Sequence, residues 1–203
     1  MRAIEILREY ETLDEITRPN IDAAEQILRN AGYKGMGTGI SGRVFNKPGA
    51  DHVLKLFHSY DTAYLKFVNL AQNNNNIHFP KFKGKLIKVN AQYYAIQMEK
   101  LTPVPDSSGS YLPSSASLLS NKVSATLSAY LDILAGRPSK YGYPSIEVTE
   151  IRMDEFEEDQ PGIKEACHLI SDILDNTMIV DLHQYNMMLR GQTLVITDPV
   201  VFD

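Results

Sequence analysis

The sequence predicts an α+β chain with a helical extension at 1–32, a strand-rich small lobe at 33–101 and a reduced large lobe at 102–203. Three observations carry this. From Tyr33 to Phe57, short apolar runs are broken by glycines and by Asn46-Lys47-Pro48-Gly49, as in strands joined by turns. Phe82 to Val89 and Gln92 to Met98 repeat that pattern around Asn90-Ala91. Beyond them, Val123, Leu127, Leu131 and Leu134, then Ile163, Cys167, Ile170 and Leu174, recur at helical spacing.

Composition narrows the function classes. A hydrophobic fraction of 43% is enough for a core, and a net charge of −5 with pI near 5.5 argues against a nucleic-acid grip built from basic patches. The single cysteine, Cys167, excludes an intramolecular disulfide or a cysteine zinc cluster, and its apolar stripe assigns it to packing. Arg2, Glu5 and Arg8 interrupt the start, so no signal peptide is expected there. No apolar run approaches membrane-spanning length. A cytoplasmic protein without membrane or direct nucleic-acid partners is expected; the oligomeric state is open.

Taken in order, residues 1–31 read as two amphipathic helices joined at Arg18-Pro19-Asn20, the second carrying Ile21, Ala24, Ile27 and Leu28. Their expected place is against the small lobe. Gly37-Thr38-Gly39-Ile40-Ser41-Gly42-Arg43-Val44 then fits G-x-G-x-x-G-x-V. Glycine clusters also open dinucleotide-binding helices, but here the Pro48-Gly49 turn stops any helix, and His52 to Phe57 reads as the next strand. A hairpin folded over a nucleotide is the better description, with glycines letting backbone approach phosphate. Lys55 alternates with Val53 and Phe57 and should share their face. An ammonium on an apolar face needs an anion, which phosphates would supply; the plain alternative is a lysine that discourages edge pairing.

Asp61 to Gln72 reads as a short helix with Ala63, Phe67 and Leu70 on its apolar side and Asp61 at its start. Asn73 to Asn76 is a loop. Pro103 to Ser117 is a serine-rich linker, or an autophosphorylation tract. The acidic run Glu147 to Asp159 is solvated surface, or a selector of basic substrates.

The most informative stretch is Asp181-Leu182-His183-Gln184-Tyr185-Asn186, followed by Asp198-Pro199. A base, a metal-binding amide and a metal-binding carboxylate in this order are the parts of a kinase-type phosphotransferase. Met187 to Leu189 and Leu194 to Ile196 flank Gly191-Gln192 and read as a hairpin, which would return Asp198 to the side of Asn186. Two oxygen ligands there suit Mg²⁺. A surface turn rich in Asp and Asn is the plain alternative.

With these residues set out, the chain resembles the protein-kinase-like superfamily. More closely, it resembles the early serine/threonine protein kinases of autographiviruses, the small lytic phages that carry their own RNA polymerase. The resemblance rests on Ala31-Gly32-Tyr33-Lys34, the glycine loop, Lys55, Ala63-Tyr64, the Asp-x-His-x-x-Asn-hydrophobic-Met loop and Ile196 to Val200, in patches from Tyr33 to Phe202. It implies an ATP- and Mg²⁺-dependent kinase directed at host proteins in the bacterial cytoplasm. Asp181 would be the base, Asn186 and Asp198 the metal ligands, and Lys55 with the glycine-loop amides the phosphate holders. Met98-Glu99-Lys100-Leu101 resembles the hinge, with Met98 gating the adenine pocket and backbone from Glu99 to Leu101 reading the adenine edge; the Glu99 side chain is expected to be solvated.

Departures from the family's wider pattern matter. The helix after the lysine strand has no glutamate to pair with Lys55, and residues 179–180 are Ile-Val rather than His-Arg. Five residues follow Asp198, so an activation segment and peptide-holding helices are not expected. His183 takes the place of the catalytic-loop lysine, as in small-molecule phosphotransferases; it would steady the γ-phosphate if protonated, or hydrogen-bond within the loop. Two rival functions follow: a kinase-like protein that binds and inhibits a host protein without turnover, and a small-molecule phosphotransferase.

Overall fold

A computed structural model describes residues 21–38, 42–104, 121–137 and 146–202. The first expected helix, the serine-rich tract beyond Val104, and Gly39, Ile40 and Ser41 of the glycine loop lie outside the described residues. The chain divides into two compact units, one of 1–62 with 81–100 and one of 63–80 with 101–203.

The first unit is a five-stranded antiparallel sheet with one helix packed on it. Helix α1 (Ile21–Asn30) ends in a Schellman motif: Tyr33 N donates to Leu28 O (2.9 Å), Gly32 N donates to Arg29 O (2.9 Å), and Gly32 takes φ 85°. Leu28 and Tyr33, the pair such a motif brings together, are both in the core. The chain then enters β1 (Lys34–Thr38), β2 (Gly42–Asn46) and β3 (His52–His58). Between β2 and β3, Ala50 N reaches Lys47 O (3.0 Å) around Pro48-Gly49, with Gly49 at φ 79°, the signature of a type II turn. Strands β4 (Phe82–Lys88) and β5 (Tyr93–Glu99) meet at Asn90, whose Oδ1 accepts from Gln92 N (2.8 Å) and Tyr93 N (2.9 Å). The sheet order is β1-β2-β3-β5-β4. Ala24, Ile27 and Leu28 of α1 pack with Phe45, Leu54, Leu56 and Ala95 on one face.

The second unit opens with α2 (Thr62–Gln72), burying Ala63, Tyr64, Phe67, Val68 and Ala71. After β6 (Thr102–Pro103) come α3 (Asn121–Leu134), α4 (Ile146–Asp159) and α5 (Ile163–Ser171). Helix α5 was expected to include Leu174. It stops at Ser171, and the following amides of Ile173 and Leu174 bond only three residues back, as in a helix that has tightened and ended. Strands β7 (Met178–Val180) and β10 (Val200–Phe202) pair antiparallel, and β8 (Met187–Arg190) and β9 (Thr193–Ile196) form the expected hairpin, joined by β6 in a three-stranded sheet.

Two polar residues organise this unit. His78 is fully buried, with Nδ1 2.7 Å from Leu194 O and Nε2 3.0 Å from Pro161 O, while His78 O accepts from Ile196 N (2.8 Å). It therefore joins the loop after α2 to β9 and to the α4–α5 turn. Glu157, inside the acidic run expected at the surface, accepts from Gly162 N (2.7 Å) and Lys164 N (2.9 Å), satisfying amides at the start of α5 that have no partner within the helix. The run's remaining acids on α4 are exposed. Cys167 is fully buried, and burial pushes its thiol up to about 12, which leaves it a packing residue. The two units together hold five α-helices and the strands of three sheets among the described residues, an α+β composition as expected.

Candidate active site

The candidate residues fall into two groups, one in each unit. In the first unit the strand register decides what faces what. Gly37 pairs with Val44, Val44 with Lys55 and Lys55 with Ile96, which sets the four in one row across β1, β2, β3 and β5. The next row toward the hinge runs Asn46, Val53, Met98 and Phe82. Directly opposed residues share a sheet face. Val44, Lys55 and Met98 therefore lie on the face opposite the one α1 covers, which carries Phe45, Leu54 and Leu56.

The glycines of the hairpin differ in what requires them. A Cβ on Gly42 would stand 2.7 Å from Leu56 O, a backbone atom that cannot yield, so close strand approach excludes any side chain there. A Cβ on Gly37 would meet nothing within 4 Å. Packing requires Gly42; it does not require Gly37. Lys55 itself is half-buried. Helix α2 holds no acid, and its one charged residue, Lys66, pairs with Asp175 Oδ2 at 2.6 Å. That pair and the hydrogen bonds from Thr177 hold the Asp175 carboxyl well below the usual carboxylate range.

At the expected hinge, Met98 is buried. Glu99 was expected to be a solvated side chain; instead its Oε1 accepts from Lys81 N (2.7 Å), and its own amide donates to Lys81 O (2.9 Å). Both groups thus close the end of the β4–β5 pair, because Lys81 lies beside β5 where β4 begins. Leu101, also buried, begins the second unit's main segment.

In the second unit, the pairing of β7 with β10 sets Val180 beside Val200, so the residues that follow one strand and precede the other are neighbours. Asp181 N donates to Pro199 O at 2.9 Å. Asn186 closes a short 3₁₀ turn (Gln184–Asn186) and is buried, with Nδ2 donating to Asp181 O (2.6 Å) and lying 3.2 Å from Asp181 Oδ2. Thr197 N donates to Asn186 O (2.8 Å), which draws the segment before Asp198 against the loop. Asp181, Asn186 and the Asp198-Pro199 step are thus gathered by two short strand pairs and four hydrogen bonds. Ser128 on α3 supports the loop from behind, donating to Leu182 O at 3.0 Å.

His183 has a defined orientation. Its Nδ1 accepts from Tyr185 N (3.2 Å), which places the ring's own proton on Nε2, and Nε2 lies 3.8 Å from Asp181 Oδ2. At that distance the ring is near the Asp181 carboxylate without a direct hydrogen bond to it. The bond to Tyr185 N is the hydrogen bond within the loop that the sequence left as one alternative for His183, whereas spacing alone did not disclose His78 or Ser128, because each depends on a partner far away in sequence.

Among the described residues no cluster of three or more His, Cys, Asp or Glu could hold a metal, and no helix is long and apolar enough to cross a membrane. No protein-family model matches the chain, and comparison with curated proteins finds no match. Among solved structures it is similar to the Cydia pomonella granulovirus kinase PK-1, at TM-score 0.38 and 11% identity over 91% of this chain and 60% of that one. It is also similar to Rad53 1–466 in complex with AMP-PNP, at TM-score 0.37 and 13% identity over 88% of this chain and 42% of that one. The chain spans less than two thirds of the length of either.

Proposed function

We propose that this chain is an ATP- and Mg²⁺-dependent serine/threonine protein kinase of phage type, acting on host proteins in the bacterial cytoplasm. The observation that carries the reading is the grouping of Asp181, Asn186 and the Asp198 step by hydrogen bonds in the order a phosphotransferase uses them. The donor set fits Mg²⁺ better than a metal held wholly by protein. Asn186 commits Nδ2 to Asp181, which leaves Oδ1 as its acceptor, and Asp198 adds a carboxylate; two hard oxygens are what Mg²⁺ takes from protein when phosphates and water complete its shell. Bound there, Mg²⁺ would neutralise charge on the transferred phosphoryl group.

The chain's own residues supply the rest. Asp181 orients the acceptor hydroxyl and takes its proton, steadied by Asn186, with His183 nearby. Lys55 and the hairpin amides hold the phosphates, and Gly37, whose side-chain position is open, lets them approach the backbone. Met98 borders the adenine. The orientation of His183 supports a role toward Asp181 more than one toward the γ-phosphate.

One observation favours the second reading, a kinase-like protein that binds and inhibits a host protein: helix α2 offers Lys55 no acid. The test is wild type against Asp181→Asn, expressed in a bacterial host and assayed with labelled ATP and host lysate. A kinase loses transfer by about a hundredfold or more and loses its effect on growth, while still binding nucleotide. Full growth inhibition by the variant, with no new phosphoproteins from either form, overturns the proposal.

A further inference from the structure

The glycine hairpin is held from its far side by charge. Arg43 follows Gly42 in β2 and lies opposite Leu56, on the face that α1 covers, whereas its neighbour Val44 lies opposite Lys55. From that face Arg43 Nη1 forms an ion pair with Glu25 Oε1 of α1 and stands 3.3 Å from Asp22 Oδ1. The other oxygen of Glu25 takes Arg29 Nη2 at 3.0 Å. Glu25 is 8% exposed, and a carboxylate so far out of water is stable only with its charge matched; here two guanidiniums share it. Arg29 extends the contact to β1, since a Cβ on Gly35 would lie 3.6 Å from its Nη2.

The hairpin needs an external hold. Gly35, Gly37 and Gly42 lose more conformational freedom on ordering than other residues and bring no side chains to pack. Strand β1 is at the edge of its sheet, and Lys34 to Gly37 are exposed. The one buried carboxylate of α1 meets the strand that leaves the glycine loop.

We propose that Glu25 and Arg43 are a positioning pair, through which α1 sets the glycine hairpin and with it the affinity for nucleotide. The proposal rests on the ATP-binding reading above, so its test has one arm that does not. Amide hydrogen exchange in Glu25→Gln and Arg43→Met should quicken in 34–38 and 42–46 and stay near wild type in 52–58 and 93–99. A fluorescent ATP analogue should bind about tenfold more weakly to either variant, with KM for ATP raised and kcat largely kept. The double variant should lose less than the sum of the two singles, as coupled partners do, and Arg43→Lys, which keeps the charge, should recover most of the affinity. A pair that merely fastens α1 to the sheet would lower the melting temperature and quicken exchange in all five strands alike. That result, or unchanged affinity in Glu25→Gln beside a wild type that binds, overturns the positioning role. A wild type that binds no nucleotide refutes the ATP reading instead, and the exchange pattern alone then decides the brace.

Discussion

The glycine hairpin and the candidate catalytic loop assemble their residues over very different stretches of chain. The row Gly37, Val44, Lys55 and Ile96 exists only because four strands pair in one register. A slip of one residue would turn Lys55 toward α1 and Leu54 toward the other face. Asp181, Asn186 and Asp198, by contrast, belong to one short segment closed by a hairpin and a two-stranded ribbon. The hairpin is rich in glycine and braced by ion pairs; the loop is buried at Asn186 and held by direct backbone bonds. Sensitivity to mutation should therefore be diffuse in the first and concentrated in the second.

The largest effects test that contrast. Asp198→Ala should abolish Mg²⁺-dependent ATP turnover while thermal unfolding stays near wild type, and Lys55→Met should lose activity out of proportion to stability. If Asp198→Ala turns ATP over at the wild-type rate, the loop is not a metal site. If Lys55→Met does, the row across the sheet has no part in phosphate binding.

Smaller effects separate the two glycines. Gly42→Ala drives a methyl group into the Leu56 carbonyl and should destabilise by roughly 1–3 kcal/mol, the usual cost of overpacking. Gly37→Ala meets open space and should change stability by less than about 0.5 kcal/mol while weakening nucleotide binding. Denaturant unfolding beside a binding titration reads both. Equal stability losses would mean that packing, not phosphate, explains both glycines.

The smallest effects concern exposed ion pairs, one in each unit. Lys83 holds Asp51 at about 2, below its ordinary 3.8, and Lys66 with Thr177 depresses Asp175 further. A carboxyl depressed in the folded state contributes stability that is present above its ordinary value and lost as pH falls through the folded one. For Asp51 that window lies below pH 3.8 and extends to about 2. Both groups face solvent, so Asp51→Asn and Asp175→Asn should only slightly flatten the acid limb of the stability curve, and 1 M salt should erase the difference. A large salt-resistant change would mean that these pairs are shielded from water.

Much of this was legible in the residues alone, for a local reason. Turns at Pro48-Gly49, Asn90-Ala91 and Gly191-Gln192 are written in the conformational limits of a few neighbours, and so is the end of α1 at Gly32. The hairpin after Asn186 and the alternation that places Lys55 beside Val53 followed from the two-residue period of a strand. The α4–α5 region was less legible, because Glu157 looks like its acidic neighbours until Gly162 and Lys164 need an acceptor.

By itself, then, the sequence determined the strands and turns of the first unit, the hairpin after Asn186 and the spacing of Asp181, Asn186 and Asp198, since these depend on bonds between near neighbours; helix α4 and strands β6, β7 and β10 it did not disclose. Only the tertiary structure decided that Glu25 meets Arg43, that His78 bridges Leu194 and Pro161, that Glu99 closes the end of the β4–β5 pair, and that Gly42 is required where Gly37 is not. Each of these joins groups well separated along the chain. Such a meeting is fixed by the register and packing of whole strands and helices, a sum over many contacts that no short window of residues contains.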